Sequence, residues 1–228
     1  MKKCAIIVAG GSGTRMGAPL PKQYLEIGGK PILMHTLEKF YKYSSDITLI
    51  LVIPASDNEL WTNLCGQYNF TVPHKVVAGG NSRFQSVKNG LSALDSDQDL
   101  VAIHDGVRPF VSVGVILMSY EEAARSGSAI AVVPLKDSLR KIHDSGSAFQ
   151  DRRNFRLVQT PQTFQLAKIL KAFDTEELSI FTDDATVYEH QGWEVSLIDG
   201  NPENIKITTP EDLDYADYLL KRSTVDGL

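Results

Sequence analysis

The first residues with recognisable chemistry form a glycine-rich loop that carries an arginine. The segment IIVAGGSGTRMG (6–17) passes from an apolar run into glycines that surround Arg15, namely Gly10, Gly11, Gly13 and Gly17. Glycines allow backbone N–H groups to approach a phosphate closely and to form a concave nest for an anion. We interpret this loop as a candidate phosphate site, and an ordinary structural turn is the alternative.

The spacing of these glycines does not match two common phosphate-binding motifs. The dinucleotide fingerprint needs G-x-G-x-x-G at the start of a helix, whereas Gly11-x-Gly13-x-x-x-Gly17 is followed by the prolines of APLPKQYL. The P-loop needs G-x-x-x-x-G-K-[ST], which GGKP at 28–31 does not supply. What remains is a long loop with Arg15 and then Lys22, two cations that can reach a triphosphate held over it.

The segment AIHDGVRPF (102–110) predicts a second chemical group at the end of a strand. Its apolar run ends at His104 and Asp105, and Gly106 then turns the chain toward Arg108. An acid at the end of a central strand is costly unless it is paired or bound to a metal. Asp105 can hold Mg²⁺ while substrate phosphates supply other oxygens; the alternative is a turn cap paired with Arg108. We favour the functional interpretation because ligands bind outside the carboxyl ends of such strands, and we expect His104 to be a packed, hydrogen-bonded neighbour.

Two later segments add candidate ligand contacts. In AGGNSRFQSVKNG (78–90), a strand leaves through Gly80 into a helix that carries Arg83 and Ser86 in its first turns. Such helix starts suit ribose or anion contacts, although an ordinary strand-to-helix turn looks the same. In NPENIKITTPEDL (201–213), alternation places the Lys206 side chain opposite its neighbouring isoleucines and toward a cleft, with a solvated lysine as the alternative.

The composition is that of a soluble globular protein. The 228 residues, 43% hydrophobic and 22% charged, can bury a core. The formal charge of -5 argues against a general nucleic-acid or membrane-surface binder, and no apolar run approaches the length of a membrane span. Cys4 and Cys65 make neither a disulfide framework nor a zinc site; as buried reduced thiols they favour the cytoplasm.

Apolar runs and helical patterns alternate along the chain and predict how these residues are positioned. The predicted strands, buried on both faces, are 4–9, 47–53, 75–78, 100–104 and 128–134. The predicted helices between them are 31–41, 57–68, 82–94 and 113–126. This repetition predicts a Rossmann-like α/β fold, a mostly parallel twisted sheet with helices on both faces.

Residues 137–154 interrupt the alternation. The segment DSLRKIHDSGSAFQDRRN is polar, and DSG marks a turn between two short extended pieces. It predicts a projecting β-hairpin arm, with a loose loop as the alternative. After this arm, the sequence predicts helices at 165–173 and 183–190, a strand at 194–198 and a last helix that begins at TTPEDL. We interpret 1–228 as a single domain that includes the arm.

Eight segments together resemble one family. They are AGGSGTRM, PKQY, GGNSRFQSV, HDGVRP, DR at 151–152, TPQTF, TDDA and NIKIT, from residue 9 to residue 208. In order and content they resemble the 2-C-methyl-D-erythritol 4-phosphate cytidylyltransferases of the non-mevalonate isoprenoid route. AGGSGTRM occurs in many nucleotidyltransferases, whereas PKQY with HDGVRP and NIKIT is more specific. The resemblance implies that the phosphate of methylerythritol phosphate attacks the α-phosphorus of CTP and that pyrophosphate leaves.

The resemblance also implies a role for individual residues. The catalytic cations would be Arg15, Lys22 and Lys206. The nucleotide would be bound by Ala9, Gly10, Gly11, Gly13, Gly80, Asn81, Ser86 and Asp105, and Asp105 would also hold Mg²⁺. The polyol phosphate would be held by Arg108, Arg152 and Thr160. In this family the arm crosses to a second subunit, which implies a homodimer with Arg152 in the partner's site.

Some positions depart from the family pattern, and other functions remain open. Ala9-Gly10 replaces the frequent pair of alanines, HDGVRP replaces HDAARP, and Asn81 stands where an acid is frequent, which leaves its ribose contact open. Ribitol-5-phosphate cytidylyltransferase is the nearest alternative, although LKDSLRK and TPQTF favour methylerythritol phosphate. A glycosyltransferase would need a D-x-D metal pair, whereas DSD at 95–97 lies in a polar loop. A non-catalytic nucleotide-binding module would need neither Lys22 nor Lys206.

Overall fold

A computed structural model describes residues 1–11, 20–95 and 97–225, with side chains up to residue 222, and a seven-stranded sheet lies at its centre. In spatial order the strands are β11 (Leu197–Asp199), β7 (Ser128–Pro134), β10 (Arg156–Gln165), β6 (Leu100–Asp105), β1 (Lys3–Val8), β4 (Thr48–Ile53) and β5 (Lys75–Ala78). Neighbouring strands are parallel except that β10 runs antiparallel to both β6 and β7. The carboxyl ends of β1, β4, β5 and β6 therefore meet at one edge.

Helices cover both faces of this sheet. The described helices are α1 (Ile32–Tyr43), α2 (Asn58–Gln67), α3 (Arg83–Ser92), α4 (Val113–Ser126), α5 (Leu166–Ala172), α6 (Asp184–Glu189) and α7 (Pro210–Val225). Helices α1, α2 and α4 pack on the face that includes Ala5 and Ile7, while α3, α5 and α6 pack on the face that includes Cys4 and Ile6. Successive residues of β1 thus serve opposite faces, which confirms the predicted fold class.

Two short strand pairs complete the fold outside the large sheet among the described residues. Strands β2 (Glu26–Ile27) and β3 (Lys30–Pro31) pair beside α7. Strands β8 (Leu139–His143) and β9 (Gly146–Gln150) pair antiparallel and form the hairpin arm. The hairpin prediction is confirmed, and the loose-loop alternative is wrong.

The predicted bounds agree with the structure to within two residues, except for one strand predicted near the carboxyl end of the chain. The five predicted central strands are each found within one residue of their predicted bounds. The sequence did not predict β10, and the strand predicted at 194–198 begins only at Leu197. Both cysteines are free; Cys4 is buried as predicted, whereas Cys65 is only half-buried.

Within the described residues, none of the helices combines the length and the apolar character needed to cross a bilayer.

Candidate active site

A cleft of about 240 Å³ opens at the carboxyl edge of the sheet, and we call it the first cleft. It lies where β1, β5 and β6 end and α3 begins. Its lining includes most of the residues that the sequence indicated: Ala9, Gly10, Gly11, Lys22, Gly80, Asn81, Ser86, Asp105 and Lys206. Gly13 and Arg15 lie outside the described residues. The structure thus brings four distant segments to the edge where an α/β sheet binds its ligands.

One wall of the first cleft, at the start of α3, is a close assembly of backbone around Ser86. The hydroxyl of Ser82 accepts a hydrogen bond from the N–H of Gln85 (3.0 Å) and so caps α3. The Ser86 hydroxyl donates to the Ser82 carbonyl (2.8 Å) and accepts from the N–H of Gly80 (3.1 Å). A Cβ atom at Gly80 would lie 2.3 Å from the Cβ of Gln85. Only glycine fits there, so this wall of the cleft is fixed by packing.

Asp105 lies among three cations. Its Oδ2 is 3.1 Å from the Nζ of Lys206 and 3.1 Å from the Nε of Arg108, and its Oδ1 is 3.9 Å from the Nε of Arg83. Burial opposes ionisation, but the charges of Lys206, Arg83 and Arg108 outweigh it and hold the pKa of Asp105 well below its usual range. The carboxylate is therefore charged. It pairs with Arg108, as the alternative interpretation held, and also lines the cleft.

The Lys206 side chain has the orientation that alternation predicted. Ile207 is fully buried and Ile205 is half-buried, whereas the Lys206 side chain is 42% exposed and reaches Asp105. The side chain thus lines the first cleft and remains solvated, so both interpretations of Lys206 stay open. Because the ammonium group is tethered yet open to solvent, a phosphate oxygen can approach it.

Arg83, to which sequence analysis gave no specific role, lines the same cleft. Its guanidinium forms two hydrogen bonds with Asp184, at 2.8 Å and 2.6 Å, and Asp184 is fully buried at the start of α6. Burial raises the pKa of Asp184, and the charge of Arg83 opposes that rise. This pair ties α3 to α6 beneath the cleft; its partners are 101 positions apart, so no local pattern could have indicated it.

His104 and Thr160 form a buried network below Asp105. The Nε2 of His104 lies 3.1 Å from the carbonyl oxygen of Arg108, and its Nδ1 lies 3.0 Å from the Thr160 hydroxyl. A carbonyl can only accept, so Nε2 carries the hydrogen and Nδ1 accepts from Thr160. The same hydroxyl accepts from the N–H of Asp105 (3.0 Å). Burial lowers the pKa of His104 to about 4, so the ring is neutral near pH 7, and the prediction of a packed, hydrogen-bonded histidine is confirmed.

A second cleft, of about 450 Å³, adjoins the first. Arg108 and Lys206 line it together with backbone and apolar groups of β7 and β10, among them Leu157 and Val158. Arg152 lines neither of these clefts; it is exposed, and its guanidinium donates to the carbonyl of Lys136, a residue of the second cleft. Two adjacent pockets that share the cation Lys206 suit two ligands that meet at a phosphate.

Comparison with known proteins gives one consistent family. The family model for 2-C-methyl-D-erythritol 4-phosphate cytidylyltransferase matches residues 3–222. Relatives of that name are 50% identical in Bacteroides thetaiotaomicron and 46% identical in Phocaeicola vulgatus, each over 96% of this chain and 100% of the relative.

Solved structures agree with the sequence relatives. The crystal structure of 4-diphosphocytidyl-2C-methyl-D-erythritol synthase from Anaerococcus prevotii superposes with a TM-score of 0.84 at 32% identity, over 97% of this chain and 96% of the other. The 2-C-methyl-D-erythritol 4-phosphate cytidylyltransferase of Thermus thermophilus superposes with a TM-score of 0.78 at 31% identity, over 97% and 100%.

Proposed function

This chain belongs to the 2-C-methyl-D-erythritol 4-phosphate cytidylyltransferase family, and we propose how its two clefts join CTP to methylerythritol phosphate in the non-mevalonate route. A phosphate oxygen of the polyol phosphate attacks the α-phosphorus of CTP and forms a new P–O bond. The bond between the α-phosphorus and the oxygen bridging to the β-phosphorus breaks, and pyrophosphate takes that electron pair. The protein's tasks are to align the two phosphates and to neutralise charge.

The observation that carries this proposal is the convergence of Lys206, Arg108 and Arg83 on Asp105 at the junction of the clefts. The carboxylate fixes cations where two phosphates must approach one another despite their repulsion. Lys206 lines both clefts, so it is placed to serve the attacking phosphate and the α-phosphate together. Lys22, which also lines the first cleft, serves the triphosphate. Arg15 has the same role in the family pattern and is part of the proposal.

The nucleotide occupies the first cleft. We assign cytosine to the backbone of Ala9, Gly10 and Gly11 and to Ser86, and the ribose to Gly80 and Asn81. Gly13 belongs with the triphosphate loop. These assignments are supported by the fixed wall around Ser86, which offers hydrogen-bonding groups at set positions.

The donor set in the first cleft fits a magnesium ion bound jointly with the substrate. Asp105 is the one carboxylate among the described residues that line this cleft. Mg²⁺ commonly takes one or two carboxylates and completes its shell with phosphate oxygens and water. Bound there, the ion would neutralise charge on the triphosphate. The cations around Asp105 keep the carboxylate deprotonated, which is the form that the ion requires.

The polyol phosphate occupies the second cleft, where Arg108 and Lys206 meet it. Thr160 supports Arg108 through the buried ring of His104. We propose that residues 1–228 form one nucleotidyltransferase domain in the cytoplasm and act as a homodimer through the arm at 137–154. Arg152, which lines neither cleft of its own chain, would then complete the partner's acceptor site.

Pyrophosphate release tests the reaction and its acceptor. With CTP and Mg²⁺, we expect release only when methylerythritol phosphate is added, and far less with ribitol 5-phosphate. Lys22→Ala should lower turnover by roughly 10²- to 10³-fold, the usual effect of removing a group that stabilises transition-state charge. Lys42→Ala, an exposed lysine of α1 outside both clefts, is the control. Preference for ribitol phosphate, or release without any acceptor, would contradict the proposal.

A further inference from the structure

Asn204 lies fully buried where three functional segments meet. Its Nδ2 donates to the carbonyl oxygen of Thr160 (2.7 Å) and to the Oε1 of Gln159 (3.3 Å). The backbone carbonyl oxygen of Asn204 accepts a hydrogen bond from the Nη1 of Arg108 (2.8 Å). It also precedes Lys206 by two residues. Asn204 therefore bonds to the backbone of Thr160 and to the side chain of Arg108, and lies two residues from Lys206.

The orientation of the Asn204 amide is fixed by its surroundings. Both partners of Nδ2, on Thr160 and Gln159, are oxygen acceptors, so the NH₂ group must face them. The Oδ1 atom is then buried with no hydrogen-bond donor among the described residues. A buried acceptor without a donor costs stability. The amide is thus not the group that stability alone would favour at this position.

We propose that Asn204 is a positioning residue for the acceptor half of the reaction, an inference that rests on the proposed function. The Asn204 side chain holds the β10 segment at Thr160 against the loop that carries Lys206. The backbone carbonyl of Asn204 fixes the second end of the Arg108 guanidinium. The first end is fixed by Asp105. Loss of the amide releases Lys206 and Arg108 relative to each other and leaves the nucleotide wall at Ser86 untouched.

Asn201 provides a matched control in the same loop. Its Oδ1 accepts from the N–H of Ser112 (3.1 Å), and its Nδ2 donates to the carbonyl of Phe110 (3.0 Å). Its Nδ2 also donates to the Oε2 of Glu203 (3.2 Å), so the Asn201 side chain, like that of Asn204, is held by hydrogen bonds. The Asn201 side chain, however, has no hydrogen bond to Arg108 or Thr160 among those that the structure describes. Its removal therefore weakens the loop without altering the acceptor cluster.

The test compares Asn204→Asp, Asn204→Ala and Asn201→Ala. The aspartate keeps the shape of the side chain but turns an oxygen toward the oxygens of Thr160 and Gln159, and the alanine removes the contact. For both variants we expect kcat/KM for methylerythritol phosphate to fall roughly 10- to 100-fold, as for a misplacement of about 1 Å. The KM for CTP should change less than about twofold. Rates are divided by the number of CTP sites from equilibrium binding, so partial unfolding does not imitate the effect.

Asn201→Ala should lower the midpoint of thermal unfolding and leave KM for the acceptor unchanged. The inference is overturned if the Asn204 variants lose stability alone, or if they impair CTP and acceptor equally. A result in which Asn201→Ala matches them in acceptor KM also overturns it. Failure of the unaltered protein to use methylerythritol phosphate would instead overturn the proposed function, so the two failures are distinguishable.

Discussion

His104 lines neither cleft, yet its ring joins the backbone of Arg108 to the hydroxyl of Thr160. The ring is fully buried and packs edge-on against Phe40. Protonation would place a hydrogen on Nδ1, which now accepts from Thr160, and would bury a charge. The hydrogen bonds that join Arg108 to Thr160 therefore depend on a histidine that stays neutral.

This neutrality predicts a pH dependence of the free energy of unfolding. The pKa of His104 is about 4 when folded and 6.5 when unfolded. Between these values the unfolded chain binds a proton that the folded chain does not, so stability is full above pH 6.5 and is lost as the pH falls toward 4. The loss amounts to at most about 3 kcal/mol. Burial also lowers the pKa of His35, which adds in the same direction.

Urea unfolding from about pH 7 to about pH 4 measures this effect. The free energy of unfolding of His104→Gln should change less with pH than that of the unaltered protein, whatever its absolute value. His143→Gln, at an exposed position in β8, is the control and should retain the full pH dependence. If the free energy of unfolding of His104→Gln and of the unaltered protein changed equally with pH, His104 would not be the cause of the pH dependence.

The residues that sequence analysis could identify are those with a local signal. Asp105 stands at the end of an apolar strand, and Lys206 alternates with isoleucines; both line the first cleft. Arg83 and Asn204 act through partners that lie 101 and 44 positions away, respectively. Local periodicity carries no information on such pairs, and only the folded chain shows them.

Among the elements, β10 shows why a strand can escape sequence analysis. Its centre reads QTPQT, polar and interrupted by Pro161, which lacks a ladder donor and usually marks an edge or an irregularity. In the structure its pairing with β7 shifts register between Val158 and Gln162. Gln159 and Gln162 are buried because their amides bond to the backbone of Asn201 and to α6. Tertiary partners thus outweigh a composition that favours a loop.

Helix α3, which carries Ser86 of the first cleft, lies close to the sheet at Gly90. A Cβ atom at Gly90 would lie 2.8 Å from a methyl of Ile6 and 3.0 Å from a methyl of Val52. The absence of a side chain at this position lets the helix rest on β1 and β4. This contact also fixes the positions of Ser82 and Ser86, which lie toward the amino-terminal end of the same helix.

Gly90→Ala should therefore displace α3. We expect it to lower the free energy of unfolding by about 1–3 kcal/mol, as overpacking of a core does, and to raise the KM for CTP. The control is Gly66→Ala in α2, where no atom lies within 4 Å of the added Cβ; it should raise stability by up to about 1 kcal/mol. Urea unfolding and CTP kinetics measure both. A Gly90→Ala protein as stable as the unaltered one would contradict the close packing.

At the scale of the whole molecule, the hairpin arm exposes apolar side chains that a single chain does not cover. Ile142 and Phe149 are 76% and 70% exposed on the arm, and Leu157 and Val158 are exposed at its base. Exposed apolar side chains grouped in this way are typical of a surface that another chain covers. Arg152 follows the arm directly and lies outside both clefts of its own chain. These facts support the proposal that each active site takes Arg152 from the partner.

Mixing two inactive variants tests that arrangement at the scale of the dimer. Arg152→Ala and Lys206→Ala should each be severely impaired alone, because each removes one cation from every site. If the arm crosses, a dimer of one Arg152→Ala chain and one Lys206→Ala chain holds one site with both cations intact. Random exchange of subunits should then restore about a quarter of the unaltered activity, since half of the dimers are mixed and half of their sites are complete.

Arg153→Ala, which removes the neighbouring arginine that pairs with Asp151, should remain active alone and controls for loss of charge on the arm. If Arg152 instead serves its own chain, every site in the mixture carries one lesion, and no activity returns at any mixing ratio.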